Sequence, residues 1–348
     1  MIDIFSEDIE LIANSDINWD KLKNKTILIA GANGYVPQYF VHAILKRNDI
    51  YGDNINVIAL CRNPNRAEQR FGAYYGRKDF CVIIQDVVKP VSYTGKIDYI
   101  IDAACPADLK SRYDNVIASF ETSVTGCKNL LELAKEKQAS FLFISSIDIY
   151  GRNNSAQRLT EESYGSLDPL NIRNVYSCSK KAAENLCCCY SYTGLDCKIV
   201  RPSQIMGGGI SLDDGRLHID FISQILKSNT IVLKGDGTPR RSFIYVTDAV
   251  IAMLTVMLDG ESGNAYNVCT ESGEASVLEL ARIMAGSAKN RNVEITYNME
   301  TRKSDPAVTQ VVSVVLGDSS KLTGLGWKPQ ISLEESCKRM MTYYGIET

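Results

Sequence analysis

Six short apolar runs, separated by longer stretches with helical periodicity, constrain the fold of this 348-residue chain more than any other feature. The runs lack alternation of apolar and polar residues, which is typical of strands covered on both faces. They are TILIA (26–30), NVIAL (56–60), FCVII (80–84), DYIID (98–102), SFLFIS (140–145) and CKIV (197–200). Helical periodicity is found between them at 35–47, 115–137 and 173–193. This alternation predicts an α/β fold built on a doubly wound parallel sheet.

The first run leads directly into a glycine turn, Gly31-Ala32-Asn33-Gly34. A strand, a glycine turn and a helix start together place backbone N–H groups where a pyrophosphate can bind. Pro37 stands where a third glycine is usual, and proline is tolerated in a first helical turn because its N–H would lack a partner there anyway. The turn is therefore predicted to bind a dinucleotide through Gly31, Asn33, Gly34, Tyr35 and Val36. A packing turn without a ligand is the alternative.

The segments after the second and third strands bear on which nicotinamide cofactor is bound. An acidic residue after the second strand would bind the ribose hydroxyl of NAD, whereas an arginine accommodates the 2′-phosphate of NADP. Arg62 occupies this position, with Arg66 one turn further, and favours NADP. Asp86 and Val87 follow the third strand and are predicted to hold the adenine. The structural alternatives are a solvated arginine and a turn cap.

A tyrosine–lysine pair, Tyr176 and Lys180, lies at i and i+4 on one face of a predicted helix. A nearby ammonium favours the phenolate form of a tyrosine, which can then take a proton from a hydroxyl group while hydride leaves the same carbon. Ser146 follows the fifth apolar run, at the edge of the sheet where α/β proteins place their active sites. Glycine turn, serine and tyrosine–lysine pair in this order predict an NAD(P)-dependent enzyme.

Composition and charge exclude several other classes. The formal charge of −3 indicates neither nucleic acid nor anionic lipid as a partner, and no run of apolar residues is long enough to span a membrane. Eleven cysteines without a CxxC pair, and only two histidines (His42 and His218), predict no metal site. A reduced, cytoplasmic protein is expected, because the first residues do not form a secretory signal and the cysteines show no disulfide pattern.

Three regions are expected along the chain. Residues 1–24 are predicted to form an N-terminal helical extension, and residues 25–205 the NAD(P)-binding domain with a Rossmann-type sheet. Residues 206–348 have a mixed pattern of shorter helices and strands. They are predicted to form mainly a smaller, partly interleaved substrate-binding subdomain, with a segment near 235–260 returning to the first domain.

The chain resembles the extended short-chain dehydrogenase/reductase family, in its nucleotide-sugar epimerase, dehydratase and decarboxylase branch. The resemblance runs from about residue 24 to the C-terminus. Besides the glycine turn, it is carried by ACPAD (104–108), SSIDIYG (145–151), YSCSK (176–180), RPSQIMGGG (201–209), DDGRLHIDFISQILK (213–227), GDGTPRRSFIYVTDA (235–249) and LGWKPQISLEE (325–335). It implies a tightly held NAD, an NDP-sugar substrate, and transient oxidation of the sugar at C4 by Ser146, Tyr176 and the cofactor.

The resemblance also assigns roles to further positions. Ala103, Ala104, Pro202 and Ser203 match residues that line the cofactor site. Three others match substrate-binding positions: they are Gln204, Arg216 and Arg241. Arg241 matches an arginine that contacts the diphosphate. The alternative for Arg241 is a surface arginine in a basic turn, next to Arg240. A homodimer formed through the helices near 115–137 and 173–193 is implied as well.

Departures from the family pattern reduce the number of reactions that the chain is expected to catalyse. Dehydratases carry Asp and Glu after the catalytic Thr, where this chain has Ile147 and Asp148. Because isoleucine cannot deliver a proton to a leaving hydroxyl, dehydration is disfavoured. UDP-glucuronate decarboxylases carry Glu where this chain has the shorter Asp148, and 4-epimerases need no carboxylate there. Ser123, Gln204 and Gly208 replace a usual Asn, Asn and Pro, which implies a reshaped sugar pocket.

The expected function is therefore that of a UDP-glucuronate decarboxylase-like enzyme or a 4-epimerase, with Ser146, Asp148, Tyr176 and Lys180 as catalytic residues. The alternatives are an NADPH-dependent reductase of a keto-sugar or other carbonyl compound, a 4,6-dehydratase, and a binding protein that senses the cofactor without turnover.

Overall fold

A computed structural model describes residues 3–105, 115–151, 158–298 and 316–348. Its first six strands lie at the six predicted apolar runs, and six shorter strands follow. They are β1 (Thr26–Ala30), β2 (Asn56–Cys61), β3 (Phe80–Ile84), β4 (Tyr99–Asp102), β5 (Ser140–Ile144), β6 (Cys197–Pro202), β7 (Gln204–Met206), β8 (Thr230–Leu233), β9 (Arg240–Tyr245), β10 (Ala265–Val268), β11 (Glu274–Ser276) and β12 (Glu294–Tyr297). Seven of them form one parallel sheet in the order β10-β6-β5-β4-β1-β2-β3. This sheet confirms the predicted doubly wound α/β fold.

Helices cover both faces of the sheet. They are α1 (Ile4–Ala13), α2 (Tyr35–Tyr51), α3 (Pro64–Phe71), α4 (Val116–Glu121), α5 (Cys127–Lys137), α6 (Val175–Tyr192), α7 (Leu217–Ser228), α8 (Val246–Asp259), α9 (Val277–Ser287), α10 (Ser320–Thr323) and α11 (Leu333–Tyr343). A π-helical turn, Thr122–Gly126, joins α4 to α5, so the helix predicted at 115–137 is continuous but contains a bulge. None of the described helices combines the length and apolar character that a bilayer crossing requires.

Alternating residues of a strand belong to two separate apolar cores on opposite faces of the sheet, as β1 illustrates. Ile27 and Ile29 pack with α1, α2 and α8 on one face, whereas Leu28 and Ala30 pack with α5 and α6 on the other. All four are fully buried. Burial on both faces explains why the runs show no apolar–polar alternation.

The N-terminal helix is tied to the rest of the chain by a buried carboxylate. Asp8 of α1 is fully buried and accepts from Tyr245 Oη at 2.8 Å. Its other oxygen accepts from Arg339 Nη2 of α11 at 2.8 Å. Asp8 therefore joins the first helix to the last helix and to the end of β9.

Two small sheets lie beyond β6. One has the order β11-β9-β7, and the other pairs β12 with β8. Helix α8 follows β9 directly and is buried along almost its whole length. It contributes to the same apolar core as α2 and β1. The segment that begins with β9 in the small sheet therefore continues as α8, which packs against the seven-stranded sheet.

Asp248 on α8 provides a test of this packing. It is 1% exposed, and Oδ2 accepts from the backbone N–H groups of Gln330 and Ile331 at 3.0 and 2.9 Å. Burial raises the pKa of Asp248 to about 6, although these two donors act in the opposite direction. Because the folded state then holds its proton more tightly than the unfolded state, this residue's contribution to stability is lost as pH rises from about 4 to 6.

We expect Asp248→Asn, which keeps the acceptor oxygen, to remove this pH dependence. The free energy of unfolding of the wild type should fall by ~2–3 kcal/mol relative to the variant over that interval. Urea unfolding of both proteins at several pH values measures the difference. Parallel pH profiles would contradict the prediction.

Candidate active site

The glycine turn lies at the carboxyl end of β1 and abuts the end of β4. Gly31 has φ +69°, and a Cβ at this position would lie 3.0 Å from Ala103 O and from Ala104 Cα. Only glycine therefore fits both the backbone conformation and the space. Gly34 is the N-cap of α2, so the N–H groups of Tyr35 and Val36 belong to its unpaired first turn. This arrangement leaves backbone donors for an anionic group at the predicted position.

The segments after β2 and β3 lie side by side. Arg62 Nη1 is 3.9 Å from Asp86 Oδ2, and the Arg62 side chain is 67% exposed. Asp86 Oδ1 accepts from the N–H of Val88 at 3.1 Å, so its carboxylate also caps the local turn. The carbonyl oxygen of Val87 accepts from Asn129 Nδ2 at 2.8 Å, which ties this turn to α5. Most of the Arg62 side chain is therefore exposed to solvent beside Asp86.

Ser146 and the tyrosine–lysine pair meet at the carboxyl end of β5. Ser146 is 7% exposed and starts the 3-10 turn Ile147–Tyr150, in which its Oγ accepts from the N–H of Asp148 at 3.1 Å. Lys180 Nζ donates to the carbonyl oxygen of Ile144 at 2.6 Å, two residues before Ser146. Tyr176 lies one turn before Lys180 on α6 and is half-buried. Three of the four predicted catalytic residues thus lie on the two elements that meet at this end of the sheet, and the fourth, Asp148, lies on the turn that Ser146 starts.

Lys180 is a buried cation with several electronegative neighbours. It is 3% exposed, and burial alone would lower the pKa of its ammonium group. The neighbouring Cys105, Tyr176 and Asp102 outweigh burial and raise that pKa. Lys180 is therefore charged at neutral pH.

Sequence reasoning missed Asp102, the last residue of β4. Asp102 is 2% exposed, and Oδ1 accepts from the N–H of Ala104 at 3.1 Å. Burial raises the pKa of Asp102, while the charge of Lys180 lowers it. It lies opposite Phe143 in the sheet register, and Lys180 Nζ lies 4.6 Å from the centre of the Phe143 ring. An acidic residue ending an apolar strand was the available signal.

Three buried hydroxyl oxygens have no hydrogen-bond partner among the described residues. They belong to Tyr35, Ser145 and Ser203. Ser145 directly precedes Ser146, and Ser203 directly follows Pro202 at the end of β6. Buried polar groups normally find a partner, so these oxygens fit a site that a polar ligand completes. Together with the cradle at Gly31, they match the needs of a nicotinamide dinucleotide.

Two neighbouring arginines on β9 differ in their contacts. Arg240 Nη1 is 2.9 Å from Glu279 Oε2, which makes it part of a surface ion pair. Arg241 is half-buried, and no described residue forms a hydrogen bond or ion pair with its guanidinium. Since a buried charge requires a counter-charge, Arg241 is the better candidate for an anionic ligand.

The other predicted substrate residues are Gln204, the first residue of β7, and Arg216, the N-cap of α7. Gln204 is half-buried and pairs with Phe243 in the sheet register. Arg216 precedes α7, where Nε is 3.2 Å from Asp214 Oδ1 and the guanidinium lies 5.6 Å from the centre of the Tyr35 ring. Arg216 is therefore close to the glycine turn, but it already has an acidic partner.

The cysteines form no disulfide bonds. All eleven are free thiols. Within residues 3–105, 115–151, 158–298 and 316–348, no group of three His, Cys, Asp or Glu side chains could hold a metal ion. Of the ACPAD segment, residues 106–108 lie outside the described part of the chain.

Comparison with known proteins adds three findings. The NAD dependent epimerase/dehydratase family matches residues 27–269. UDP-glucuronic acid decarboxylase 1 of Arabidopsis thaliana is 30% identical over 331 residues, which cover 92% of this chain and 70% of the relative. Two solved structures share the fold with a TM-score of 0.75. One is dTDP-glucose 4,6-dehydratase from Bacillus anthracis in complex with NAD, at 20% identity over 92% of this chain and 96% of the other. The second is UDP-glucose 4-epimerase from Thermotoga maritima with UDP-glucose, at 19% identity over 92% and 98%.

Proposed function

Because the chain belongs to the NAD-dependent epimerase/dehydratase family, we propose that it modifies a nucleotide sugar, with UDP-glucuronate decarboxylation as the leading reaction. Membership confirms the family resemblance and the dependence on NAD or NADP inferred from the sequence. The choice of reaction is carried by one observation, the match over 92% of the chain to a plant UDP-glucuronic acid decarboxylase.

In this proposal Tyr176 is the general base. Its phenolate takes the proton of the sugar C4 hydroxyl, and Lys180 stabilises the negative charge of the phenolate from one helical turn away. Ser146 donates a hydrogen bond to the same oxygen, because its hydroxyl is held at the carboxyl end of β5. A nicotinamide dinucleotide held at Gly31, Gly34 and the first turn of α2 would supply the redox chemistry at C4, as a hydride acceptor and donor.

The resulting C4 ketone activates the neighbouring C5 carboxylate. The C5–carboxylate bond breaks, carbon dioxide leaves, and the electron pair moves towards the C4 carbonyl oxygen, where Tyr176 and Ser146 stabilise the charge. A proton from water then adds to C5 and restores the C4 ketone, and reduction of that ketone takes back the proton held by Tyr176. Arg241 would bind the diphosphate, because it is half-buried and lacks a counter-charge among the described residues. Gln204 and Arg216 would contact the remainder of the substrate.

The residues after Ser146 support this reaction over dehydration. Ile147 is 4% exposed and has no acidic group, so it offers no proton to a leaving hydroxyl. Asp148 is exposed on the same turn, where a carboxylate can approach the sugar. A 4-epimerase is the second candidate, because the Asp148 side chain has no described hydrogen bond that fixes it towards Ser146 and epimerisation requires no acid there.

Mass spectrometry of reaction products tests the proposal. Purified protein is incubated with UDP-, dTDP-, GDP- and CDP-sugars, including UDP-glucuronate, and with catalytic NAD or NADP but no added reductant. Loss of carbon dioxide from UDP-glucuronate is expected. An isomer of unchanged mass, separated by chromatography, would establish the epimerase instead. Loss of water would contradict the argument that Ile147 prevents dehydration. Turnover only with stoichiometric NADPH would establish a reductase.

We also propose that the cofactor is NADP, because Arg62 follows β2, is mostly exposed and can offer its guanidinium to a phosphate. Arg62→Asp should weaken NADP binding by about 10- to 100-fold, the effect of losing one charge-assisted hydrogen bond to a phosphate. It should leave NAD binding unchanged or stronger. Titration calorimetry with both cofactors measures this change. Lys78→Asp, which makes the same charge change at an exposed position before β3, is the control, and equal losses for both cofactors would contradict the preference.

A homodimer in the cytoplasm completes the proposal. Ile117 and Phe120 on α4 are 70% and 41% exposed, which leaves apolar surface on the helices expected to pair. Eleven free thiols fit a reducing compartment. Light scattering during gel filtration should give the mass of two chains, and Ile117→Glu with Phe120→Glu should give that of one.

A further inference from the structure

A buried ionic contact joins the helix of Tyr176 and Lys180 to the strand beside it. Glu184 lies one turn after Lys180, on the same face of α6. Its carboxylate accepts from Arg201 Nη2 at 2.7 Å and from Arg201 Nε at 3.0 Å. The two side chains are only 8% and 11% exposed. A two-point contact fixes the orientation of the guanidinium as well as its distance.

The same guanidinium holds the end of the turn that begins at Ser146. Tyr150 is the last residue of this turn and is fully buried. Its hydroxyl accepts from Arg201 Nη1 at 2.8 Å and donates to Asn267 Oδ1 at 2.8 Å. Burial raises the pKa of Tyr150 to about 12, so the hydroxyl keeps the proton that it donates. The centre of its ring lies 5.1 Å from the Arg201 guanidinium.

Asn267 anchors the turn on its other side. It is fully buried on β10, and Nδ2 donates to the carbonyl oxygens of Leu159 and Asp318 at 2.9 and 3.0 Å. Its backbone N–H donates to Glu161 Oε1 at 2.7 Å. Since Tyr150 and Asn267 are fully buried, a shift of Tyr150 would leave buried donors and acceptors without partners, which is costly.

We propose that Glu184, Arg201 and Tyr150 are positioning residues that fix Ser146 relative to Tyr176 and Lys180. Two of the catalytic side chains share a helical face with Glu184, and Ser146 starts the turn that Tyr150 ends. Arg201 connects the two by binding Glu184 and Tyr150 at once. The proposal rests on the catalytic roles given above to Ser146 and Tyr176. Errors of about 1 Å at reacting atoms can cost about 100-fold in rate.

Tyr150→Phe is the decisive variant, because it removes one hydroxyl and keeps the buried ring. With a substrate that the wild type converts, kcat should fall by about 10- to 100-fold, while KM and the cofactor Kd change by less than about threefold. The matched control is Tyr266→Phe on the neighbouring residue of β10. Tyr266 is also buried, but its hydroxyl accepts from the N–H of Glu261, away from the site. A wild-type kcat for Tyr150→Phe, or an equal loss in the control, would overturn the proposal.

Hydrogen–deuterium exchange of residues 146–151 gives a result that does not depend on turnover. Exchange in this segment should be faster in Tyr150→Phe than in the wild type and unchanged in Tyr266→Phe. If no nucleotide sugar is converted, the proposed function fails, whereas the exchange measurement still decides the positioning role. Unchanged exchange in Tyr150→Phe would overturn it.

A double variant tests the ionic part separately. Glu184→Gln leaves Arg201 buried without its counter-charge and should lower the melting temperature strongly. Glu184→Gln combined with Arg201→Gln removes both charges and should restore part of that temperature while kcat remains low. Full recovery of kcat in the double variant would contradict a positioning role for the pair.

Discussion

Tyr176→Phe is expected to lower kcat by about three orders of magnitude, within the range that general acid–base catalysis supplies. The substitution removes the group that accepts the hydroxyl proton and leaves the ring, and so the packing of α6, in place. Cofactor binding and the melting temperature should change little. Steady-state kinetics with any substrate that the wild type converts measures the loss, together with a titration of the cofactor.

The control is Tyr192→Phe on the same helix. Tyr192 is 95% exposed and lies at the last turn of α6, so it loses the same hydroxyl without any effect on the site. Its kcat should equal that of the wild type. A loss of less than about tenfold in Tyr176→Phe would contradict the assignment of Tyr176 as the general base.

The sequence was sufficient to predict those features that depend on neighbouring residues in the chain. The apolar runs set the strands because each is short, continuous and bounded by polar residues, and the glycine turn follows from residues 31–34 alone. Tyr176 and Lys180 could be paired because a helix fixes the geometry of residues four apart.

Features that depend on distant residues could not be predicted in the same way. Asp102 approaches Lys180 only because β4 and β5 are neighbours in the sheet, and Arg201 binds Tyr150 across 51 positions of sequence. Likewise, residue type alone does not distinguish Arg240 from Arg241: the family resemblance points to Arg241, and the contact of Arg240 with Glu279 gives a physical reason for that choice. These contacts depend on which elements are neighbours in the fold, and residue type alone does not reveal that.

Gly165→Ala is expected to disrupt the catalytic turn. Gly165 has φ +68°, and an added Cβ would overlap the carbonyl oxygen of Tyr150 and lie 2.5 Å from Tyr150 Cα. These are backbone atoms in a turn held by buried hydrogen bonds, so they cannot move aside cheaply. The free energy of unfolding should fall by at least ~3 kcal/mol, and kcat should fall with it because Ser146 begins the displaced turn.

Gly52→Ala separates this clash from the cost of backbone conformation. Gly52 has the same φ of +68°, but nothing lies within 4 Å of an added Cβ. Alanine in the left-handed region costs about 1–2 kcal/mol, so this variant should lose that amount and keep its activity. The difference between the two variants then measures the steric contact at Tyr150. If both lost equal stability, the close approach of residues 150 and 165 would be disproved, and with it the physical link between the 158–166 segment and Ser146.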